Sequence, residues 1–600
     1  MLGQEKFHAR VVQVLRDSRV FGTLDEAVLQ DLAQGLEQHE VRGGAQVFAE
    51  GAAADSMFFV VTGRLRVSRR EADGGVLRYN EIRPGESVGE MGMILHQSRT
   101  ADVSAVRDSS VAVMDRAHFE ALLQRHPIAI NRVFAQVMFE HLRHTSQVLQ
   151  RHQAQSFVVL PLTEGADAAE VARGLVEAFG KLGRVHHTTP AAESQRLAHT
   201  QAPGSDAAHF DALEDQFDYL VYETDASASP WTLQAFRQAD QVVFVAAAGS
   251  PLQPTALEQR LAEEPGFSLK RQHLVLLHAA TAGLPEPTAR WRNGRQIERV
   301  YPLRHRHGGD FARLARFLTG RAVGVVLGGG GARGFAHLGV LRALQQSNIP
   351  VDLVGGNSMG ALIGAQYASG LPLERIQAQT RKFAEGGEWP TLPIISLVSG
   401  RRVSRDLQRM FGETQVDGLW TPYFAAACNL TKACTTVQES GPLWRAVLAS
   451  NSPAGLFPPV LYQGDLLVDG AILENVPVEA MRMRLGTPLE KRRGNGTIIA
   501  IDVDVREELG VDPCLQRLSV RRKLKSYVTR NSQSAPGIAE ILYRAGHIGG
   551  LNRRAATIAQ AEHYLEPPVA AFPLMAYRRA DEIAEIGYRH AMEKIATWTL

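Results

Sequence analysis

The sequence has few cysteines, no long apolar run and no excess of one charge. Its 600 residues include three cysteines, Cys428, Cys434 and Cys514, whose spacing fits neither a metal site nor a disulfide framework, so we expect a reducing compartment. No uninterrupted run of about 18 apolar residues occurs, and the segment MLGQEKFHARVVQVLRDSRV lacks the apolar part of a signal peptide. The formal net charge of +2 neither favours nor excludes an anionic partner. These features predict a cytoplasmic protein without a transmembrane helix, which could still contact a membrane surface peripherally.

Length and hydrophobic pattern predict a multidomain chain, because 600 residues are too many for one core. Residues 1–153 show short strands between turn signals, with helical patterns before and after them, which predicts an antiparallel β-roll with flanking helices. Residues 155–320 alternate apolar strands with helices and predict a parallel α/β domain, with a polar loop at 190–209. Residues 321–600 return to strands alternating with helices and predict a second α/β domain with a helical C-terminal part.

A serine lies between two glycines in the third domain, in the order Gly356-Asn357-Ser358-Met359-Gly360. Glycine on both sides lets a strand turn sharply into a helix, so that the serine oxygen stands clear at the apex. The pattern alone is weak, because a glycine-rich turn with a serine arises by chance in a chain with 54 glycines. Here, however, an apolar strand comes before it and the helical run ALIGAQYASG comes after it. That placement indicates a nucleophile.

Four glycines, Gly328–Gly331, precede this serine and lie between another strand and helix. Such a loop leaves backbone N–H groups exposed at a helix N-terminus, where they can hold a developing negative oxygen. The same loop loosely matches a dinucleotide fingerprint, with Asp352 as its acidic residue. That alternative leaves Ser358 unexplained, so the pattern favours acyl transfer.

A serine nucleophile needs a base, and no histidine lies between His337 and His547. His337 lies on the helix after the glycine loop, where we expect it to pack or cap. Asp469 ends the apolar strand in LLVDGA and is well placed to reach a site at a sheet edge. Asp-Gly is also a common turn pair, so the residues alone leave the base and turn roles of Asp469 equally open.

The glycine loop, the serine elbow and Val468-Asp469-Gly470 resemble, in order and spacing, the three blocks of patatin-like phospholipases. Residues 449–460 resemble the further block that precedes the aspartate in that family. The resemblance implies a patatin-like hydrolase fold for residues 321–600 and a serine–aspartate dyad without histidine. Ser358 would attack an ester carbonyl, and Asp469 would accept its proton and later activate water.

The same resemblance implies an oxyanion hole built from the backbone N–H groups of Gly329, Gly330 and Gly331, with Arg333 supporting the loop. The family more often has threonine immediately before the serine, where this chain has Asn357. We expect that departure to leave the elbow intact, because the side chain at that position is not the nucleophile.

Residues 88–105 carry a second chemical pattern. A turn at Gly89 opens a short helix whose N–H groups favour an anion, Glu90 could accept from a ribose hydroxyl, and Arg99 could pair with a phosphate. A solvated turn with a surface arginine gives the same pattern. Residues 21–145 resemble the cyclic-nucleotide-binding domain, with Gly89, Glu90, Arg99 and Thr100 at positions of its phosphate-binding cassette. The resemblance implies cAMP or cGMP as a regulatory ligand. No helix-turn-helix follows, so no nucleic-acid partner is expected.

Residues 155–320 resemble the segment between the nucleotide-binding and esterase domains of neuropathy target esterase-like proteins. That segment looks like a nucleotide-hydrolase sheet without its working parts, because the residues from Thr163 to Val171 include no Gly-Lys-Ser/Thr loop. We therefore predict a structural coupler and not an NTPase.

Residues 517–530 carry six cations and form either a solvated helix face or a surface attracted to anionic lipid, at about 1 kcal/mol per charge. The proline-broken apolar segment 567–577 is either core or a flap over an acyl pocket.

Together the sequence predicts a serine lipid acyl hydrolase acting on phospholipid or lysophospholipid, with no required cofactor or metal and with cyclic nucleotide as a candidate regulator. A homodimer is a further hypothesis, based on the apolar helix at 128–149. Two alternatives stay open. One is a cyclic-nucleotide-sensing scaffold with a silent hydrolase domain, and the other is a triad hydrolase that uses His547 or His563.

Overall fold

A computed structural model describes residues 2–18, 20–70, 76–95, 97–142, 154–199, 205–485, 496–504, 541, 549–550 and 553–598. This part of the chain divides into two compact units. The first comprises the chain as far as Thr281 together with Trp291–Ala315, and the second comprises Ala282–Arg290 and most of the chain from Arg316 onward. The domain boundaries predicted above stay predictions.

Several sequence predictions fall on residues outside the described ranges. These are the basic segment 517–530, His547, Cys514 and the end of the apolar helix predicted at 128–149.

The N-terminal part of the first unit is a β-roll of two four-stranded antiparallel sheets, ordered β1-β8-β3-β6 and β2-β7-β4-β5. Its strands are β1 Glu37–Val41, β2 Gln46–Phe48, β3 Ser56–Thr62, β4 Leu65–Arg70, β5 Val76–Ile82, β6 Ser87–Val88, β7 Asp102–Ala105 and β8 Ser109–Asp115. The core of the roll includes Phe21, Phe59 and Phe134, which meet edge to face. The β-rich N-terminal domain expected from the sequence is therefore present.

Eleven helices are described up to Leu318. They are α1 Leu2–Asp17, α2 Glu26–Gln34, α3 Glu90–Leu95, α4 Arg116–Arg125, α5 Pro127–Leu142, α6 Ala168–Gly180, α7 Pro190–His199, α8 Ser205–Gln216, α9 Pro230–Gln238, α10 Ala256–Ala262 and α11 Gly308–Leu318. The apolar stripe of α5, which motivated the dimer hypothesis, packs inside the roll through Ile130, Val133, Phe134 and Val137.

A six-stranded sheet follows the roll, in the order β10-β11-β9-β12-β13-β14. Its strands are β9 Gln155–Pro161, β10 Val185–Thr188, β11 Tyr219–Glu223, β12 Gln241–Ala247, β13 Arg271–His278 and β14 Arg299–Arg304. All its pairings are parallel, as predicted. The two central strands β9 and β12 are buried along almost their whole length, which explains their continuous apolar sequences.

The prediction of a loop at 190–209 is wrong, because helices α7 and α8 occupy most of that stretch. Thr189 begins α7 by accepting the Ala192 N–H through its hydroxyl at 3.2 Å, directly before Pro190. Glu193 and Arg196 then form an ion pair three residues apart, at 2.6 Å. The polar composition that suggested a loop belongs to a capped surface helix.

Buried ion pairs connect the roll to the parallel sheet within the first unit. Asp240, immediately before β12, pairs with Arg64 at 3.1 Å and with Arg107 at 3.2 Å. Lys270 donates to the carbonyls of Val106 at 3.0 Å and Ala239 at 2.6 Å, and burial lowers the pKa of Lys270 to about 7. Buried charges of this kind tolerate few rearrangements, so the roll and the sheet are held in one arrangement.

The second unit is built on an eight-stranded mixed sheet in the order β19-β20-β17-β16-β15-β21-β22, with β18 also paired to β17. Its strands are β15 Val323–Leu327, β16 Leu353–Gly356, β17 Tyr423–Asn429, β18 Cys434–Gln438, β19 Val460–Tyr462, β20 Asp465–Asp469, β21 Thr497–Ile501 and β22 His563–Leu565. Its helices include α12 Ala336–Gln346, α13 Met359–Ala368, α14 Leu373–Glu385, α15 Arg401–Phe411, α16 Leu443–Ser450, α17 Val478–Leu485 and a last helix, Ala580–Ile595. Strands β17, β16, β15, β21 and β22 run parallel, so their carboxyl ends share one edge.

Candidate active site

Ser358 stands at a strained turn between β16 and α13. Its backbone has φ 51° and ψ −123°, a conformation that residues other than glycine rarely adopt. The two glycines of the motif make the turn possible. A Cβ on Gly360 would lie 2.1 Å from the Leu327 carbonyl oxygen, and one on Gly356 would lie 2.7 Å from the Gly360 carbonyl carbon. The sequence motif therefore folds into the sharp strand-to-helix turn that a serine nucleophile requires.

The strand register brings Asp469 to the level of Ser358. Gly356, at the end of β16, pairs with Ala425 of β17, and Asp469 pairs with Ala427, two residues further along β17. Strand β20 runs antiparallel to β17, so Asp469 reaches this edge through its register and not as the carboxyl end of a parallel strand. It is 4% exposed and also accepts the Ala471 N–H through Oδ1 at 3.0 Å. Its position is consistent with both the base role and the turn role considered from the sequence.

Asn357 links the serine turn to the turn after Asp469. Its Oδ1 accepts from the Gly470 N–H at 3.1 Å and from the Ser450 hydroxyl at 3.0 Å. Its Nδ2 donates to the Glu474 carbonyl at 3.4 Å. The residue that departs from the usual family pattern thus connects the neighbours of both candidate catalytic residues, a role that the sequence did not reveal.

The end of α16 holds the backbone of Ser358 from the other side. The Ser358 N–H donates to Ser450 Oγ at 3.0 Å, and the Ser358 carbonyl accepts from Asn451 Nδ2 at 2.8 Å. Ser452, the next residue along the chain, accepts the Asp469 N–H through its carbonyl at 2.9 Å. Three consecutive residues therefore contact the backbones of both Ser358 and Asp469, which fixes their separation.

The glycine loop after β15 lies against Ser358, since a Cβ on Gly329 would be 3.0 Å from Ser358 Cβ. Asn475 grips Gly329 at two points: its Oδ1 accepts the Gly329 N–H at 3.1 Å and its Nδ2 donates to the Gly329 carbonyl at 3.1 Å. The Gly329 N–H is therefore already engaged. Within the described part of the chain, the N–H groups of Gly330 and Gly331 have no acceptor.

Two further side chains support the glycine loop. Arg333 is buried and donates through Nε to the Phe572 carbonyl at 2.7 Å. His337 is fully buried on α12 and donates through Nε2 to the Gly328 carbonyl at 2.8 Å. Burial lowers the pKa of His337 to about 4, so the ring is neutral at pH 7. It packs against the loop as the sequence suggested and also anchors it.

A buried carboxyl group lies one turn beyond Asp469. Burial raises the pKa of Glu474 to about 7. The backbone carbonyl of the same residue accepts the hydrogen bond from Asn357 Nδ2 described above.

A cavity of about 780 Å³ lies beside α16 and is lined by both apolar and cationic residues. Leu448 and Ser452 form the wall nearest the residues that hold Ser358 and Asp469, while Arg401 and Arg405 lie on the wall formed by α15. Phe457 supplies another apolar wall. A cavity of this size and lining can take an acyl chain with an anionic head group at its rim.

The triad alternative gains no support from His563. It lies on β22, paired with Ile499 of β21. Strands β15 and β21 lie between β22 and β16, the strand that leads to Ser358, so β22 and β16 are about 14 Å apart at the usual strand spacing. Its ring stacks on Trp598 with centroids 3.9 Å apart. His547, the other candidate, lies outside the described residues.

The predicted nucleotide cassette folds around a buried arginine. Arg99 donates through Nη1 to the Gly89 carbonyl at 3.0 Å and through Nη2 to the Ser56 carbonyl at 2.7 Å, and its guanidinium lies 4.2 Å from the Phe48 ring centroid. Glu90 is 2% exposed, and burial lowers the pKa of Arg99 below its usual value. Arg99 Nε is buried and has no hydrogen-bond partner among the described residues. Thr100, in contrast, is exposed.

The turn after β9, where a nucleotide hydrolase would carry its phosphate loop, is fixed to the neighbouring strand. Thr163 Oγ1 accepts the Ala247 N–H at 3.0 Å and contacts the Ser250 hydroxyl at 3.2 Å. The residues from Thr163 to Val171 include no lysine, which a phosphate-binding loop of this kind requires. Elsewhere in the described ranges, no cluster of His, Cys, Asp and Glu is arranged to hold a metal ion, and no helix is long and apolar enough to cross a membrane.

Three family models match the chain in succession. They are the cyclic nucleotide-binding domain at residues 38–126, the neuropathy target esterase family P-loop like domain at 153–307 and patatin-like phospholipase at 325–482. The protein therefore combines a cyclic nucleotide-binding domain, a parallel α/β domain and a patatin domain in one chain.

Curated relatives match over most of the chain. Patatin-like phospholipase domain-containing protein 7 of Rattus norvegicus is 30% identical, over 94% of this chain and 45% of that protein. Patatin-like phospholipase domain-containing protein 6 of Homo sapiens is 29% identical, over 93% of this chain and 44% of the relative. Lysophospholipase NTE1 of Pyricularia oryzae is 28% identical, over 93% and 42%. The chain thus spans less than half the length of these relatives, and the resemblance stated from the sequence is confirmed.

Proposed function

We propose that the second unit is a serine hydrolase of lipid esters, a phospholipase or lysophospholipase, with Ser358 as nucleophile and Asp469 as base. The observation that carries the proposal is the strained backbone of Ser358, with φ 51° and ψ −123°, beside Asp469 on the neighbouring strand pair. A conformation of this kind costs about 1–3 kcal/mol and persists only where the surrounding contacts impose it. The match to patatin-like phospholipase and the names of the relatives support the substrate class.

In the first half of the reaction, Ser358 Oγ attacks the ester carbonyl carbon and its proton passes to the Asp469 carboxylate. The carbonyl oxygen becomes an oxyanion, which the N–H groups of Gly330 and Gly331 stabilise. A single donor of this type is worth about 2.7–4 kcal/mol of barrier. The C–O bond to the lipid alcohol then breaks, and the alcohol leaves with the proton that Asp469 held.

In the second half, water attacks the acyl carbonyl on Ser358 and gives a proton to Asp469. The bond between the acyl carbon and Ser358 Oγ breaks, the proton returns to the serine oxygen, and the fatty acid leaves. The oxyanion hole that we propose differs from the sequence assignment at one position. Gly329 acts as the anchored end of the loop, because Asn475 occupies its N–H.

The cavity supports a single-chain lipid substrate. Its apolar walls at Leu448 and Phe457 suit an acyl chain, and Arg401, Arg405 and Arg445 suit a phosphate head group. The name of the fungal relative, lysophospholipase, agrees with this assignment. The reaction needs no cofactor or metal.

The test is release of fatty acid from lysophosphatidylcholine by the full chain. We expect Ser358→Ala to abolish turnover and Asp469→Asn to lower kcat by about 10³-fold or more, while binding is kept. Ser369→Ala, a serine at the end of α13, and Asp465→Asn, on the same strand as Asp469, serve as matched controls with near wild-type rates. Normal turnover by Ser358→Ala would contradict the proposal and favour a silent hydrolase domain with a contaminating activity.

The N-terminal domain supports a second function, binding of cAMP or cGMP. The observation that favours it is Arg99, buried with an unpartnered Nε in the described structure, next to buried Glu90. In this proposal Arg99 pairs with the cyclic phosphate, Glu90 accepts from the ribose hydroxyl, and Gly89 and Thr100 line the cassette. Calorimetric titration of the full chain with each nucleotide tests it: heat should be lost in Arg99→Gln and kept in the exposed control Arg184→Gln. No heat with wild type and either nucleotide would refute it.

Regulation, location and assembly follow as further parts of the proposal. Cyclic nucleotide regulates hydrolysis only if it binds two states of the chain unequally, so esterase rates with and without saturating nucleotide decide that point. We place the protein in the cytoplasm and peripherally at membranes, without a nucleic-acid partner. A homodimer stays a hypothesis, since the stripe of α5 that suggested it is already buried within its own unit. Sedimentation as monomer alone would remove it.

A further inference from the structure

One loop of the second unit exposes a continuous group of large apolar side chains. Trp389, Leu392, Ile394 and Ile395 are 73%, 77%, 85% and 72% exposed. Elsewhere in the described ranges, large exposed apolar side chains occur singly, apart from Leu430, Leu461 and Leu466, which lie on adjoining segments of one sheet edge. Single exposed apolar residues are ordinary, whereas a cluster of this kind on a surface that faces water indicates a contact with something apolar.

This apolar loop, residues 389–395, is held out from the surface by an ordered base. The Ser399 N–H donates to the Trp389 carbonyl at 2.9 Å, and the Thr391 N–H donates to the Leu397 carbonyl at 3.1 Å. Leu397 in turn donates its N–H to the Gly455 carbonyl at 3.0 Å. These bonds close the loop like a short hairpin, so its apolar tip is a built projection of the fold.

The N-terminus of α15 adds a second set of bonds at the base. Glu388, the residue before the loop, accepts the Arg402 N–H at 2.7 Å and the Val403 N–H at 3.4 Å. The carboxylate caps the helix and fixes the direction in which the apolar loop leaves it.

Cations border the apolar loop on one side. Arg401, Arg405 and Arg409 are exposed and recur every four residues, so they share one face of α15. Arg409 pairs with Asp406, but Arg401 and Arg405 have no carboxylate partner among the described residues. An apolar tip beside unpaired arginines matches the surface of an anionic bilayer, with acyl chains within and phosphates at the boundary.

The border is continuous with the cavity described above. Ser399 and Gly400 from the base of the loop line that cavity together with Arg401 and Arg405. Its other end is formed by Leu448 and Ser452, next to the residues that hold Ser358 and Asp469. The loop, the cations and the entrance toward the site therefore lie in sequence along one surface.

We propose that the apolar loop inserts into the surface of an anionic phospholipid bilayer, with Arg401 and Arg405 on the phosphates, so that a lipid passes from the bilayer into the cavity. This inference rests on the proposed function, because it supplies the route by which an insoluble substrate reaches Ser358. It assigns the membrane contact to residues other than the basic segment 517–530.

The test is co-flotation of the full chain with vesicles of phosphatidylcholine containing about a quarter phosphatidylserine. We expect the double variant Ile394→Ser with Ile395→Ser to lose affinity for these vesicles by about 30-fold or more, because two highly exposed isoleucines lose their apolar contact. Ile128→Ser changes an equally exposed isoleucine, 82% accessible, in the first unit and should bind like wild type. Arg401→Gln with Arg405→Gln should lose most of the wild-type preference for vesicles that contain phosphatidylserine over vesicles of pure phosphatidylcholine.

Hydrolysis of a soluble short-chain p-nitrophenyl ester separates the two proposals. The isoleucine double variant should keep the wild-type rate on this ester while its rate on vesicle lysophospholipid falls. The docking inference is overturned if the isoleucine double variant binds vesicles as tightly as wild type. It is also overturned if wild type binds neither type of vesicle. A wild type that binds vesicles but hydrolyses neither substrate overturns the proposed function and leaves the docking surface standing.

Discussion

Replacing Asn475 with leucine should slow the chemical step while keeping the fold. Asn475 is 9% exposed and makes two hydrogen bonds of 3.1 Å each, to the N–H and the carbonyl of Gly329. Leucine has nearly the same shape and can make neither bond. Each lost bond is worth about 1 kcal/mol net, and each buried Gly329 group left unpaired costs about 1–3 kcal/mol. Because a local rearrangement of the loop can find these groups new partners, we expect the loop to leave its wild-type position.

A shift of Gly329 also displaces Gly330 and Gly331, the next two residues of the chain, whose N–H groups are the proposed oxyanion donors. Gly329 also lies against Ser358, so closely that a Cβ on this glycine would be 3.0 Å from the serine Cβ. Misplacing one oxyanion donor costs about 2.7–4 kcal/mol of barrier, which is about 10²–10³-fold in rate. Because the loss falls on the transition state, kcat should drop by this factor and KM should change little.

The assay is steady-state hydrolysis of a soluble p-nitrophenyl ester, with thermal unfolding as a check on the fold. Asn429→Leu is the control, since Asn429 is 1% exposed and loses three side-chain bonds: to Thr436 at 3.2 Å, to Asp465 at 2.8 Å and from the Lys432 N–H at 3.1 Å. Both variants should lower the unfolding temperature, and only Asn475→Leu should lower kcat by about 10²-fold. Equal kcat values for the two variants would refute the anchoring role of Asn475.

Three further outcomes follow from the structure. Because burial holds the pKa of His337 at about 4 against about 6.5 in the unfolded chain, the unfolded state binds a proton first, and wild type should lose about 3 kcal/mol of stability as pH falls from 6.5 to 4. His337→Asn should remove that part of the pH dependence of the urea midpoint, and identical midpoint profiles would argue against it. Gly360→Ala places a Cβ 2.1 Å from the Leu327 carbonyl oxygen, so ester turnover should fall by about 10²-fold or more. Gly180→Ala, at a helical position with open space around it, should keep wild-type turnover. Asp240→Asn leaves Arg64 and Arg107 with one fewer buried partner and should destabilise the first unit by about 3–5 kcal/mol in urea, while exposed Asp225→Asn should not; an unchanged midpoint would show that the ion pairs are not needed.

The serine turn could be predicted because its determinants are local. Gly356, Ser358 and Gly360 lie within five positions, and a Cβ on Gly356 would meet the backbone of Gly360 within the same motif. The glycine loop is equally local, since it directly follows β15. Signals that lie within a few residues of one another predict a turn without knowledge of distant parts of the chain.

The contacts that complete the site could not be predicted, because they join residues far apart in the chain. Asn475 and Gly329 are 146 positions apart, and Ser450 and Ser358 are 92 apart. Asp469 was chosen on the argument that strand ends meet at one edge, but the antiparallel register of β20 on β17 is what places it there. Only the folded chain, through strand pairing for Asp469 and through loop and helix-end contacts for Asn475 and Ser450, reveals these partners.

Polar composition misled the prediction at residues 190–209, and apolar composition did not reveal the exposure of residues 389–395. Residues 190–209 are polar because α7 is a surface helix, and the capping pattern at Thr189 and Pro190 was the signal that could have found it. The apolar loop at 389–395 carries four large apolar residues of the kind usually buried, so their exposure follows only from the three-dimensional structure.

Covalent labelling tests the central claim most directly. The full chain is treated with a fluorophosphonate, and the modified residue is located by mass spectrometry of its peptides. The proposed chemistry predicts one adduct, on Ser358, that is absent in Ser358→Ala and forms far more slowly in Asp469→Asn. An adduct on another residue that accompanies loss of lipid hydrolysis, or unreduced labelling of Ser358 in Asp469→Asn, would contradict the assignment of nucleophile and base.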